Sequence, residues 1–166
     1  LLSLHERAFG GDRRAQMQLD IWRRAGRGSH ADYINPFRLK AGAAAGNVEM
    51  QARLGIAYLE GQGGLEKDPV EARRLLEEVV ETAQHSQAQY LLGEIYLQGL
   101  GVEPDEARAL QHFRSSHRQG FVRAGARLHQ VRPDAETLRM AEEARSRGDR
   151  LAKELLEGKA DPESRR

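Results

Sequence analysis

Residues 84–105 read Gln-His-Ser-Gln-Ala-Gln-Tyr-Leu-Leu-Gly-Glu-Ile-Tyr-Leu-Gln-Gly-Leu-Gly-Val-Glu-Pro-Asp. Their apolar spacing predicts an amphipathic helix, then a glycine-punctuated loop, then the cap of a second helix. The pattern occurs twice. Leu92-Gly93, Tyr96, Gly99, Gly101 and Asp105 answer to Leu54-Gly55, Tyr58, Gly61, Gly63 and Asp68. Gly93 follows Gly55 by 38 residues. Self-similarity at this period marks an array of helical repeats.

Outward from this stretch, further copies appear. One starts near Gly11, with Ala15, Leu19, Trp22, Gly26 and Gly28; others start near Gly46, Gln84 and Gly120. The copy from Gly120 keeps Ala124 and Leu128 but loses the loop glycines, and a partial copy from Gly148 keeps Ala152 and Leu156. Residues 1–10 read as a partial helix ending at Gly10-Gly11, and residues 158–166 as a flexible polar tail. The expectation is one repeat domain over 1–157. Its fold class is all-α: an α-α superhelix, or solenoid, of about four helical hairpins plus terminal half-repeats.

Each recurring residue has a physical task. Glycine inside a helix costs about 1 kcal/mol relative to alanine. Its return at Gly55 and Gly93 therefore predicts that the paired helix approaches too closely for a side chain. On that reading Gly93→Val clashes and costs several kcal/mol, as in an overpacked core. Leu54 and Leu92 are core positions, and Tyr58 and Tyr96 close the hairpin end. The loop glycines 61, 63, 99 and 101 are expected in left-handed backbone. Second helices are expected over 36–45, 69–83, 104–119 and 134–147, opened by Asn35-Pro36, Asp68-Pro69, Asp105 and Asp134. Ser86 with Gln89 resembles a capping box. Ala72, Leu75, Leu76, Val79 and Val80 form one apolar stripe, and Ala107, Leu110 and Phe113 a thinner one.

Composition narrows the function classes. The net charge of +1 gives no reason to expect nucleic acid or membrane as the main partner. Charge is unevenly placed: 8 basic and 4 acidic groups over 1–47, 5 and 12 over 48–110, and 13 and 9 over 111–166. An acidic centre between basic ends would steer a partner; the plain alternative is a solvated surface. The absence of cysteine excludes disulfides, thiolate metal sites and cysteine nucleophiles. No apolar run approaches the roughly 20 residues of a membrane helix. No signal peptide is visible, and a start at Leu1 rather than methionine is expected to mean that an N-terminal part has been removed or lies outside this sequence.

Sites of chemistry are sparse. His112 and His117 stand five apart, on different helix faces, where a zinc-binding helix needs three or four. Glu77-Glu78 and Glu142-Glu143 are adjacent, so their side chains diverge and make no acid–base dyad. Gly61-Gln62-Gly63-Gly64 lacks the lysine and hydroxyl residue of a phosphate loop. Arg13, Arg14, Arg23, Arg24 and Arg27 cluster, but only Trp22 interleaves them, which is poor material for nucleic-acid binding. No catalytic, cofactor or metal residue is assigned.

The pattern Ala-x-x-x-Leu-Gly-x-x-Tyr-x-x-Gly-x-Gly-Val-x-x-Asp-x-x-x-Ala resembles the Sel-one-like repeats, a bacterial-type branch of the tetratricopeptide superfamily. The run Ala88 to Ala107 carries the likeness, though Asp105 precedes Ala107 by two rather than four. The run Met50 to Ala72 follows, with Met50 in place of the alanine. Asp20 and His129 replace the helix glycine in the outer copies.

The resemblance implies a non-catalytic scaffold or adaptor, binding a protein or peptide in the concave groove lined by the first helices. It also implies an envelope setting, including exopolysaccharide machinery, over the cytoplasm. A small-molecule ligand, nucleic acid and membrane insertion do not fit it. Groove residues by the superfamily pattern are Arg14, Met17 and Ile21; Glu49, Ala52, Ile56 and Leu59; Gln87, Tyr90, Glu94 and Leu97; and Arg123 and Gln130. Tyr90 is the natural anchor, unless it only packs on the neighbouring repeat. Tyr90→Ala with Glu94→Ala is expected to weaken binding without unfolding. The alternative function is a docking or regulatory segment of a larger repeat protein, and an enzyme is the remote third.

Overall fold

The computed structural model describes residues 12–14, 17 and 36–158, and the described residues are helical with no strand. The helices are α1 (Pro36–Ala44), α2 (Val48–Glu60), α3 (Pro69–Thr82), α4 (Ser86–Gln98), α5 (Glu106–Arg118), α6 (Arg123–Val131), α7 (Ala135–Ser146) and α8 (Arg150–Leu156). The chain divides into two compact units, Leu1–Ala72 and Arg73–Arg166, with the boundary inside α3. The expected helix over 1–10, the cap Asn35, the positions Ala15, Leu19, Ile21, Trp22, Gly26 and Gly28, and the tail beyond Gly158 lie outside the described residues.

In the first unit α1 packs on α2. Gly46, at φ +78°, makes the turn, and the Asn47 side chain caps α2 by accepting the Met50 N–H at 3.0 Å. A Cβ on Gly42 would stand 2.6 Å from Met50 Cγ, so the hairpin closes over a glycine. Leu39, Ala52, Leu54 and Ala57 are buried. Gly61 ends α2 in left-handed backbone at φ +71°, as the repeat pattern predicts. The chain then returns so that the Asp68 N–H donates to the Tyr58 carbonyl at 2.9 Å, and Asp68 Oδ1 caps α3 through the Glu71 N–H.

The second unit repeats these devices. Gly99, at φ +68°, ends α4, and the Asp105 N–H donates to the Tyr96 carbonyl at 2.8 Å. The recurring tyrosine thus closes the loop through its backbone in both copies. The Tyr96 ring is buried, stacked on His112 at 5.5 Å and 4°, and its hydroxyl donates to Glu77 Oε1 at 2.7 Å. Gly93 lies against Phe113: an added Cβ would stand 2.5 Å from Cε1 of a fully buried ring. This is the close approach that glycine inside the helix predicts. Successive helices pack in order, α4 on α5, α5 on α6, α6 on α7 and α7 on α8, and α8 also touches α6.

Four local expectations are corrected. The cap of α4 is His85, not Ser86: His85 is extended at φ −123° and its Nδ1 accepts the Ala88 N–H at 3.2 Å, which puts Ser86 inside the helix. Pro104 lies outside α5, because Asp105 is its cap and accepts the Arg108 N–H at 2.9 Å. Ala107 is exposed, while Ala109 joins Leu110 and Phe113 in the core. Ala52, expected in the groove, is buried.

The degenerate copy from Gly120 compensates for its lost glycine. With His129 at the usual position, the close approach moves one turn earlier to Gly125, where a Cβ would meet Met140 Cβ at 2.7 Å and its carbonyl at 3.0 Å. The tight α6–α7 connection is held by Asp134 and buried Thr137, which cap one another reciprocally.

Candidate functional site

α4, α6 and α8 present side chains to an open cleft of about 370 Å³ in the second unit. Its floor and walls come from Tyr90 and Glu94 of α4, Arg123 and Arg127 of α6, and Arg150, Leu151 and Glu154 of α8. Four-residue spacing on α4, α6 and α8 sets Tyr90 above Glu94, Arg123 above Arg127 and Arg150 above Glu154.

The wall nearest α5 is fixed by aromatic packing. The Tyr90 ring lies 5.5 Å from Phe113 and 5.1 Å from Phe121, tilted by 51° and 52°. Tilted rings at these distances attract one another beyond their area burial. Burial, with the charge and hydrogen bonding of Glu94, raises the Tyr90 pKa well above the usual phenol value, so the ring keeps its proton.

The floor is an ion pair. Arg127 Nε donates to Glu94 Oε1 at 2.6 Å and Nη2 to Oε2 at 2.8 Å. Arg127 Nη1 donates to Gln130 at 2.5 Å, and Gln98 Nε2 adds a bond to Glu94 Oε2 at 2.7 Å. Burial opposes the Arg127 charge, but the Glu94 bonds and charge outweigh it and its pKa is raised. Planar two-point geometry of this kind is the strong form of a carboxylate–guanidinium contact. Glu94 is therefore committed to holding helices together and is poorly placed for proton transfer.

The rim is more open. Arg123 Nε donates to Asp149 Oδ2 at 2.9 Å, and that bond, with the Asp149 charge, raises its pKa despite partial burial. Asp149 also caps α8 through the Ala152 N–H at 3.0 Å. Arg150 Nε donates to Glu154 Oε1 at 2.7 Å.

Of the groove residues expected from the sequence, Tyr90, Glu94 and Arg123 come together here. Gln87 is exposed and Leu97 half-buried on the same α4, and neither lines the cleft. Gln130 is half-buried and serves Arg127. Glu49, exposed on α2, accepts from Arg53 Nε at 2.6 Å; Ile56 and Leu59 are half-buried there. The Arg14 N–H donates to Asp12 Oδ1 at 2.9 Å, Met17 is exposed, and Ile21 lies outside the described residues.

Sequence reasoning missed Arg127, Arg150, Leu151 and Glu154. The available signal was spacing: Arg127 follows Arg123 by four, as Glu94 follows Tyr90. Tyr90→Ala with Glu94→Ala is expected to lower stability as well as binding, because neither side chain serves the cleft alone. Both side chains have structural partners, so their truncation leaves a hole between two phenylalanines and strands Arg127.

The other titratable groups among the described residues make no comparable site. Among the described residues no three His, Asp or Glu side chains converge to hold a metal, and no helix is long and apolar enough to cross a membrane. His112 is stacked and bonded to Gln89, and His117 approaches Glu143 at 3.8 Å.

Comparison with known proteins gives the fold its context. The Sel1 repeat family matches residues 48–78 and 86–121. A protective antigen of uropathogenic Escherichia coli strains, described as displaying an SLR fold, superposes with a TM-score of 0.70 at 24% identity, over 92% of this chain and 34% of that one. A Sel1 repeat protein from Oxalobacter formigenes gives 0.65 at 23% identity, over 73% of this chain and 51% of its own. The chain thus spans about a third and about half of these two neighbours. No curated protein matches it.

Proposed function

From the premise that this chain carries two Sel1 repeats, whose fold generally serves as a protein–protein interaction scaffold, we propose that it holds a peptide segment of a partner protein in the cleft of α4, α6 and α8. The observation that carries this reading is that the cleft is open while its floor and one wall are already fixed. Tyr90 is wedged between two rings, and Arg127 is held at all three nitrogens. Side chains ordered before binding lose less entropy on binding.

The role is non-catalytic. The one carboxylate in the cleft floor is spent on Arg127, and the phenol beside it is held protonated. A photo-crosslinking residue placed at Arg150, on the cleft rim, is compared with one at exposed Glu136 on α7. Partner adducts from the Arg150 position and none from Glu136 support the cleft. Adducts from Glu136 alone, or equally from both, move the binding surface elsewhere.

A further inference from the structure

Resting on the peptide-cleft reading, we infer that the segment taken by the cleft is acidic, with side-chain carboxylates seated between Arg123 and Arg150. The lining carries three guanidinium groups against two carboxylates. The Glu94–Arg127 pair is internally satisfied and adds little net field. What faces an occupant is the rim. Arg123 and Arg150 each spend only Nε on a neighbouring carboxylate, Asp149 and Glu154. Their Nη groups make no hydrogen bond among the described residues, and the two side chains are 48% and 82% exposed. A guanidinium already oriented through Nε presents its outer nitrogens in a plane, which suits a carboxylate.

The surroundings add to this. Residues 111–166 carry 13 basic and 9 acidic groups, so the C-terminal third of the chain, which holds two of the three cleft helices, attracts negative charge at longer range. Leu151 gives the same cleft an apolar spot, partly buried against Ala126, Ala144 and Ala152. The occupant that fits is an extended peptide with glutamate or aspartate flanking an apolar residue.

The test is fluorescence anisotropy with a short labelled peptide of alternating serine, leucine and glutamate, amidated at its C-terminus, and its glutamine counterpart. Amide shifts are followed on α4, α6 and α8. The acidic peptide is expected to bind about tenfold more tightly than the glutamine form, with affinity falling as salt rises. Arg150→Gln is expected to weaken it several-fold. This change removes only an exposed pair with Glu154, so folding is not at issue. Arg123→Gln should do the same, with α8 monitored because Asp149 caps it. Equal binding of both peptides, with shifts on the three helices, keeps the cleft as a peptide site and overturns the acidic occupant. Binding of the acidic peptide without shifts on α4, α6 or α8, or with no loss in Arg150→Gln, overturns it as well. No binding by either peptide also overturns it, and crosslinking from the Arg150 position then decides the cleft reading separately.

Discussion

Glu94 and Arg127, 33 residues apart in sequence, meet through two hydrogen bonds of 2.6 and 2.8 Å. One belongs to the copy from Gln84 and the other to the copy from Gly120, so the pair joins consecutive repeats. Their side chains are 16% and 20% exposed. Removing one partner from such a pair leaves a charge largely out of water. Glu94→Ala is expected to cost roughly 2 kcal/mol, less than a fully buried pair because some water still reaches Arg127. The exposed Arg53–Glu49 pair, at 63% and 57%, is expected to contribute under about 0.5 kcal/mol. Urea unfolding of Glu94→Ala and of Glu49→Ala measures the contrast. A double-mutant cycle of Glu94→Ala with Arg127→Met should give a coupling above about 1 kcal/mol.

Helix glycines differ in what opposes a side chain. At Gly93 the obstacle is the rigid, fully buried ring of Phe113, at 2.5 Å. At Gly42 it is the end of a flexible methionine. Gly93→Ala is expected to lose about 2 kcal/mol through overpacking, and Gly93→Val more. Gly42→Ala should be close to neutral, since Met50 can turn aside and alanine gains about 1 kcal/mol of helix propensity. A melt of Gly93→Val within a degree of the parent would refute the packing account.

Asp134 and Thr137 hold the short α6–α7 connection. Asp134 Oδ1 accepts the Thr137 N–H at 2.8 Å, and Thr137 Oγ1 accepts the Asp134 N–H at 3.0 Å and donates to the Arg132 carbonyl at 3.0 Å. Thr137→Val keeps the shape and the backbone N–H bond to Asp134 but removes the bonds made by Oγ1, so a loss of about 1–2 kcal/mol is expected. Hydrogen exchange should accelerate at the N-terminus of α7 before it does in α4. Uniform acceleration would mean that the connection is not a local cap.

His112 gives the fold a pH dependence. Its pKa is lowered from 6.5, chiefly by burial, with Arg108 acting in the same direction and Glu77 opposing. Below pH 6.5 the unfolded chain binds a proton that the folded chain resists, so the neutral ring's contribution is present above that pH and is lost as pH falls toward the folded value. The melting temperature is expected to fall more steeply below pH 6.5 in the parent than in His112→Gln. Parallel profiles in the two proteins would count against this.

The hairpin plan was legible because it is periodic. Gly93, the loop glycines and the aspartate caps each answer to backbone rules that act within a few residues, and repetition made them visible. What escaped depends on contacts between copies. Gly125 stands four residues before its expected place because the approach of α7, not the register of α6, selects it. The His85 cap was missed because imidazole is an unusual acceptor for a helix N-terminus. Arg150 and Leu151 belong to the most degenerate copy, where little pattern remains to say which face of the helix looks inward.

The Glu94–Arg127 bond also constrains how such an array can change in length. Duplicating a hairpin is the usual way for a repeat protein to grow, and most seams accept an insertion because each unit carries its own caps and glycines. The seam between the copies from Gln84 and Gly120 does not. A new unit there would separate carboxylate from guanidinium by a whole repeat and leave both stranded. Growth at this point requires the newcomer to bring a matching acid and base, so these two positions must be inherited together.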